Sequence, residues 1–194
     1  MDARELFVLS DAAFRSVVDR LTPDDLERAA PPEWARTPDP TLRDILRGHA
    51  RDEAWVPDLL AGRTMEEVGT RWGGELLGDD PIARYDGFND AATAAMSDPG
   101  LDPSMILHFS YGDYPFSEGV LHLVSYRAFQ AWLIAKFVGI DFSLSLELID
   151  GLNELLFPTV DGLRAVGAFP AAIEPPAGAD AETVLLCTVG FWHP

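Results

Sequence analysis

Along residues 121–139, LHLVSYRAFQAWLIAKFVG, nearly every position is apolar, yet His122, Tyr126 and Gln130 recur four residues apart. That spacing places three polar side chains on one face of a helix. The same reading orders the rest of the chain. Leu6, Ala13, Phe14, Val17 and Leu21 recur at three- and four-residue intervals and predict a first helix over about 2–21. LTPDDL then breaks the pattern, and AAPPEWARTPDP is a proline-rich connection. A second helix begins after Thr41, a suitable N-cap, and runs to about Leu60. Its inward stripe is Ile45, His49, Glu53, Val56 and Leu60. The stretch AGRTMEEVGTRWGGELLGDD is expected to be a loop with one short helical turn. Asp80-Pro81 opens a third helix that stops at about Met96, since proline suits the first helical position.

In SMILHFSYGDY, Met105, Leu107, Phe109 and Tyr111 alternate, which predicts an extended segment and a small hairpin. The fourth helix runs from about Pro115 to Gly139, a natural C′ residue. A fifth is expected from about Ser143 to Val166 with a kink at Pro158. Asp180 caps a short last helix over 181–189. Four long helices, a helical tail and almost no sheet make an all-α fold, a helix bundle, as one domain over residues 1–194.

In a bundle, binding and metal sites are built by side chains that point inward from facing helices. The second helix offers His49 and Glu53, one turn apart; the fourth offers His122, Tyr126 and Gln130. If those helices face each other, five polar groups converge. Burying each without a partner would cost roughly 1–3 kcal/mol, so they must bond to one another, to water, to a metal or to a ligand. Three readings remain open at this level. His49, Glu53 and His122 form a zinc or nickel site with an open position. Alternatively the groups line a metal-free pocket for a small molecule. In the third reading they form a self-satisfied network, or face solvent.

The charge narrows the partners. Lys plus Arg is 14 against 32 Asp plus Glu, a net charge of −18. Such a surface repels nucleic-acid phosphates and anionic lipid, so neither is an expected partner. No apolar run reaches the roughly 18–20 residues of a membrane span. The acidic start MDARELF has no signal-peptide core, and the expected location is the cytoplasm. The single cysteine, Cys187 in ETVLLCTVG, reads as a packed core thiol. His108 reads as structural, His193 as a terminal exposed residue, and the aromatics of YGDYP (111–115) as packing groups. No G-x-S-x-G, phosphate loop, strand-linked G-x-G-x-x-G or paired C-x-x-C occurs.

Several phrases resemble a known family: TLRDILRGHARDEAWVPDLLAGRTMEEVG (41–69), LLGDDPIARY (76–85), SYGDYPFSEGVLHLVSYRAFQAWLIAKFVGID (110–141) and FPAAIEPPAGADAETVLLCTVG (169–190). Together they are similar to the DinB-like superfamily, on its actinobacterial, mycothiol-dependent maleylpyruvate isomerase side. The resemblance implies a DinB-like four-helix bundle with short additions, often a homodimer. In active members of that family a second-helix histidine, with an acidic residue and a histidine from the fourth helix, holds a divalent metal. The metal activates a low-molecular-weight thiol toward a small electrophile.

The carry-over onto this chain departs from that pattern. The second-helix histidine matches His49. The fourth-helix acidic position is Tyr126, the histidine position is Gln130, and a further acidic position after Trp132 is Leu133. Uncharged hydrogen-bonding groups thus stand where the resemblance implies metal ligands. The expected function is a small-molecule pocket in which His49, Tyr126 and Gln130 act on the ligand and Glu53, His122 and Trp132 help bind it, without a required cofactor. One alternative retains a zinc or nickel ion on His49, Glu53 and His122 and uses mycothiol as a thiol transferase or isomerase. The other is a non-enzymatic, dimeric binding protein.

Overall fold

A computed structural model describes residues 1–194 except Arg36, Val166 and Pro194. Its described residues are mostly helical. The long helices are α1 (Ala3–Val18), α3 (Leu42–Leu60), α5 (Pro81–Met96) and α6 (Phe116–Val138). Shorter ones are α2 (Pro23–Leu26), α4 (Met65–Val68), α7 (Leu146–Leu155), α8 (Val160–Ala165) and α9 (Ala181–Val189). The second and fourth helices expected from the pattern are therefore α3 and α6. The chain divides into two compact units, one of Met1–Phe14 with Val120–Pro194 and one of Arg15–Gly119.

Within the Arg15–Gly119 unit, α3 starts where its sequence says it should. The Thr41 hydroxyl accepts from the Asp44 N–H, and the Asp44 carboxylate accepts from the Thr41 N–H at 2.9 Å, a reciprocal capping box. The same device caps α4 through Thr64 and Glu67. It also turns LTPDDL, expected only to break a helix, into α2, capped by Thr22 and Asp25 with Pro23 at the first position. α5 opens on Asp80, whose side chain accepts from the Ala83 N–H, with Pro81 at the first helical position.

α3 packs along α5, and the two run in the same direction. Arg43, at the start of α3, bonds the carbonyl of Gly78 just before α5. Midway, Tyr85 reaches Glu53. At the far end Ala61 and Ala91 line one cleft. A parallel pair needs a chain that travels back the length of a helix. The 19 residues of α3 span about 28 Å at 1.5 Å per residue. Residues 61–80 make that return, and α4 is the helical turn expected within them.

The expected hairpin is present: β1 (Ile106–Phe109) pairs antiparallel with β2 (Gly112–Pro115), Phe109 opposite Gly112. Gly119 follows it at a close approach. A Cβ there would sit 2.9 Å from both Leu107 Cδ1 and Phe109 Cε2.

In the other unit α6 runs as expected and ends at Gly139, which adopts φ +84°. α7 packs against α9, and α9 begins on the expected Asp180 cap. Gly151 on α7 leaves room for Leu6, whose Cδ1 lies 2.5 Å from where a Cβ would stand. Phe129, Phe169 and Phe191 meet edge-on or tilted at 5.6–6.0 Å between centroids. The fifth expected helix is corrected in two respects. It starts later, because the Ser145 hydroxyl caps the Leu148 N–H. It is also broken, not merely kinked: α7 ends at Leu155 and Phe157–Thr159 forms a 3-10 turn before α8. Pro158, which has no N–H to donate, sits in that turn. The expected end at Val166 lies outside the described residues.

Candidate functional site

The inward stripe of α3 is buried as its period requires: Ile45, His49, Glu53, Val56 and Leu60 are all enclosed, with His49 1% and Glu53 0% exposed. Two of the five are polar, which is the feature to explain. α5 answers them with polar groups of its own. Tyr85 and Asn89, also one turn apart, are buried in the stripe that continues to Ala92 and Met96.

The Tyr85 hydroxyl donates to Glu53 Oε1 at 3.4 Å, and Asn89 Nδ2 donates to the Tyr85 oxygen at 3.3 Å. The order of donation is fixed by chemistry. The tyrosine has one proton, which it gives to Glu53, and its oxygen is left to accept from the asparagine amide. Both bonds are long beside the usual 2.7–3.0 Å. The result is a buried polar line, Asn89 to Tyr85 to Glu53, with His49 one turn back along α3. Tyr85 and Asn89 were not singled out from the sequence. Their i, i+4 spacing puts them on one face of α5, but unlike α3 that helix has little apolar periodicity to mark the face as inward.

The residues expected on α6 fall in the other unit, and their faces differ. His122 is partly buried, Tyr126 is 37% exposed, and Gln130 and Trp132 are buried. The polar line on α6 thus does not lie wholly inside: its middle member, Tyr126, is the most exposed, while Leu123, Val124 and Arg127 beside it are buried. Gln130 Oε1 and Trp132 Nε1 are enclosed without a hydrogen-bond partner among the described residues. Trp132 lends its ring face to Lys136, whose Nζ is 5.4 Å from the centroid.

Arg127 was also missed. It is 1% exposed, bonds the Leu123 carbonyl at 3.0 Å, faces Asp11 at 3.4 Å and lies over the Phe7 ring at 4.6 Å. An arginine inside an apolar helix reads as surface from the sequence; only the matching buried Asp11 on α1 explains it.

The remaining candidates are placed as their surroundings dictate. His108 Nδ1 pairs with Asp113 at 2.8 Å across the hairpin. Phe109, Tyr111 and Tyr114 contact one another at 5.2–6.0 Å, the packing expected of the YGDYP aromatics. His193 is exposed. Cys187 is fully buried, and burial, with the Glu174 charge adding to it, pushes its thiol pKa up, away from the thiolate a nucleophile needs.

A zinc-type site takes at least three protein ligands. Among the described residues no group of three or more His, Cys, Asp or Glu is gathered in a way that could hold a metal ion. His49 and Glu53 supply two such side chains, and the polar groups that follow them are a phenol and an amide. That donor set does not fit the metal site implied by the family resemblance. No helix among the described residues is long and apolar enough to cross a membrane. No protein-family model, curated protein or solved structure matches the chain.

Proposed function

We propose that this chain is a DinB-like four-helix bundle that binds a small polar molecule by hydrogen bonding, with uncharged Tyr126 and Gln130 standing where the family resemblance implies metal ligands. The observation that carries this is the buried line Asn89–Tyr85–Glu53 beside His49. The succession α1, α3, α5, α6 with parallel α3 and α5 supports the bundle. Burying four polar side chains on one helix pair gives up the free energy that apolar residues there would contribute, and a binding role accounts for that cost. In this reading Glu53 is the acceptor end, Tyr85 a donor held by Asn89, and His49 a second polar contact. Taken by itself, the other unit holds a separate acceptor, the enclosed Gln130 amide oxygen, which has no hydrogen-bond partner among the described residues. The loose bonds from Tyr85 suit a site whose geometry tightens only when a ligand completes it.

The test combines metal analysis with ligand screening on untagged protein. Low-molecular-weight thiols, small electrophiles and small polar metabolite analogues are screened by thermal shift, and each positive is titrated by calorimetry against Glu53→Gln and Tyr85→Phe. The expected outcome is a ligand whose affinity falls roughly tenfold in either variant, the loss of one hydrogen bond of about 1.4 kcal/mol. Stoichiometric zinc or nickel that disappears in His49→Ala would replace this reading with a metal-dependent, mycothiol-type transferase.

A further inference from the structure

Farther along the same helix pair, toward the C-terminal ends, lies an open cleft of about 390 Å³. Its floor is small and apolar, formed by the buried Ala54 and the half-buried Pro57, with the exposed Ala61 and Ala91 at its rim. Trp72 and Phe88 form its walls, their rings edge to face at 5.9 Å and 79°. Arg63 and Arg71 stand at its mouth, 46% and 49% exposed at the side chain.

Asp58 fixes this arrangement. Its carboxylate is 8% exposed and takes a bond from Arg63 Nη1 at 2.7 Å, bonds from Arg71 Nη1 at 3.1 and 3.3 Å, and one from Trp72 Nε1 at 2.8 Å. One carboxylate thereby orients two guanidiniums and an indole at once. Each guanidinium has five N–H donors and spends only those on Nη1 here, so the cluster keeps an excess of one positive charge and a set of fixed donors. Arg84, which is not a lining residue of the cleft, lies 4.9 Å from the Phe88 centroid and bonds the Leu76 carbonyl at 3.3 Å. The nearby acid is Glu67, which caps its own helix through Thr64 and feels the Arg63 charge only as a minor influence. On a protein with net charge −18, a cleft edged by arginines is locally the opposite of the whole.

We propose that this cleft is a binding site for a small aromatic carboxylate. The flat ring lies on the alanine and proline floor against Trp72 and Phe88, and the carboxylate takes the unspent donors of Arg63 and Arg71, a fork geometry suited to bidentate pairing. A volume of 390 Å³ falls in the range of small-molecule pockets and suits one or two fused rings. This site is separate from the polar line of His49, Glu53, Tyr85 and Asn89 and stands whether or not that line binds anything.

The full chain is titrated with indole-3-acetate by calorimetry and tryptophan fluorescence, with uncharged indole and with cyclohexane acetate as controls. The expected result is saturable one-to-one binding of indole-3-acetate, with each control at least about tenfold weaker because it lacks one of the two recognition elements. Arg63→Gln with Arg71→Gln should weaken binding by a further roughly tenfold or more. Those changes also disturb Asp58, so Ala91→Phe serves as a second variant: Ala91 is exposed at the rim, and a ring there fills the cleft while leaving the clamp intact. Loss of binding in Ala91→Phe with an unchanged melting temperature supports the site. Absence of saturable binding to the wild type, equal binding of indole, or full affinity in Ala91→Phe overturns it.

Discussion

A single amide oxygen tests how the interior tolerates polarity. Gln130 Oε1 is enclosed without a partner, and an unmet acceptor costs about 1–3 kcal/mol. Replacing Gln130 with Leu, similar in size and without that oxygen, is therefore expected to leave the unliganded protein as stable or about 1 kcal/mol more stable, read from urea unfolding midpoints. Most buried polar-to-apolar changes that break a satisfied bond do the reverse. Arg127 is the contrasting case, because it is matched by Asp11. Arg127→Ala removes the cation that faces a buried carboxylate and should cost about 3–5 kcal/mol, whereas Arg127→Met with Asp11→Leu should recover most of it. A double-mutant cycle in urea measures the coupling between them; single losses that simply add up to the loss in the double variant would show that the ion pair contributes nothing. Asp58 is a carboxylate of a third kind, serving three donors that are themselves partly wet. Asp58→Ala frees Arg63, Arg71 and Trp72 to water and is expected to cost about 2 kcal/mol by the same measurement.

At the level of elements, caps control where helices begin and, through carboxylates such as Asp44, give helix starts a dependence on pH. The Thr41 N–H bond, then the Thr41 hydroxyl and the Arg47 charge, hold the Asp44 carboxyl below its ordinary value. A lowered folded pKa adds stability that is present above about pH 4 and disappears as pH falls through the folded value. Asp44→Asn should thus lose about 1 kcal/mol at pH 7, and the gap from wild type should close toward pH 2 in a pH series of thermal melts. The hairpin sets a steric limit of similar size: Gly119→Ala forces a methyl against Leu107 and Phe109 and is expected to cost about 1–3 kcal/mol.

These elements were largely legible in the sequence because their signals are local. Thr41, Asp80-Pro81, Gly139 and Asp180 mark ends through bonds made within four residues, and the alternation of 105–111 marks a strand. The second helix showed half of its polar site, since His49 and Glu53 interrupt an otherwise apolar stripe. The other half was hidden for a physical reason. Tyr85 and Asn89 matter through contacts that reach Glu53 across 32 residues of sequence, and nothing in the spacing along one helix states which face another helix will cover. Arg127 was hidden likewise, its partner Asp11 lying at the opposite end of the chain. Tyr126 shows the limit of phase: correct helical phase puts it in line with His122 and Gln130, but phase alone does not say which members of a line meet solvent.

Across the whole molecule, a charge of −18 opposes compaction. Salt screens that repulsion, with a Debye length falling from about 30 Å at 0.01 M to about 8 Å at 0.15 M. The melting temperature is expected to rise by about 2–4 °C over that range, equivalent to roughly 1 kcal/mol. A fall instead would mean that attractive pairs such as Arg15 with Asp19, Asp86 and Asp90 outweigh the repulsion. The parallel course of α3 and α5 has a further consequence, in time and not in energy. An antiparallel neighbour can zip up from a tight turn, but two helices pointing the same way meet only after the intervening chain has looped back, so their docking joins partners remote in sequence. Substitutions at that seam, Ala92→Gly for instance, are therefore expected to quicken unfolding while leaving the refolding arm of a chevron nearly unmoved. The polar groups housed there would be the last part of the Arg15–Gly119 unit to close and the first to open.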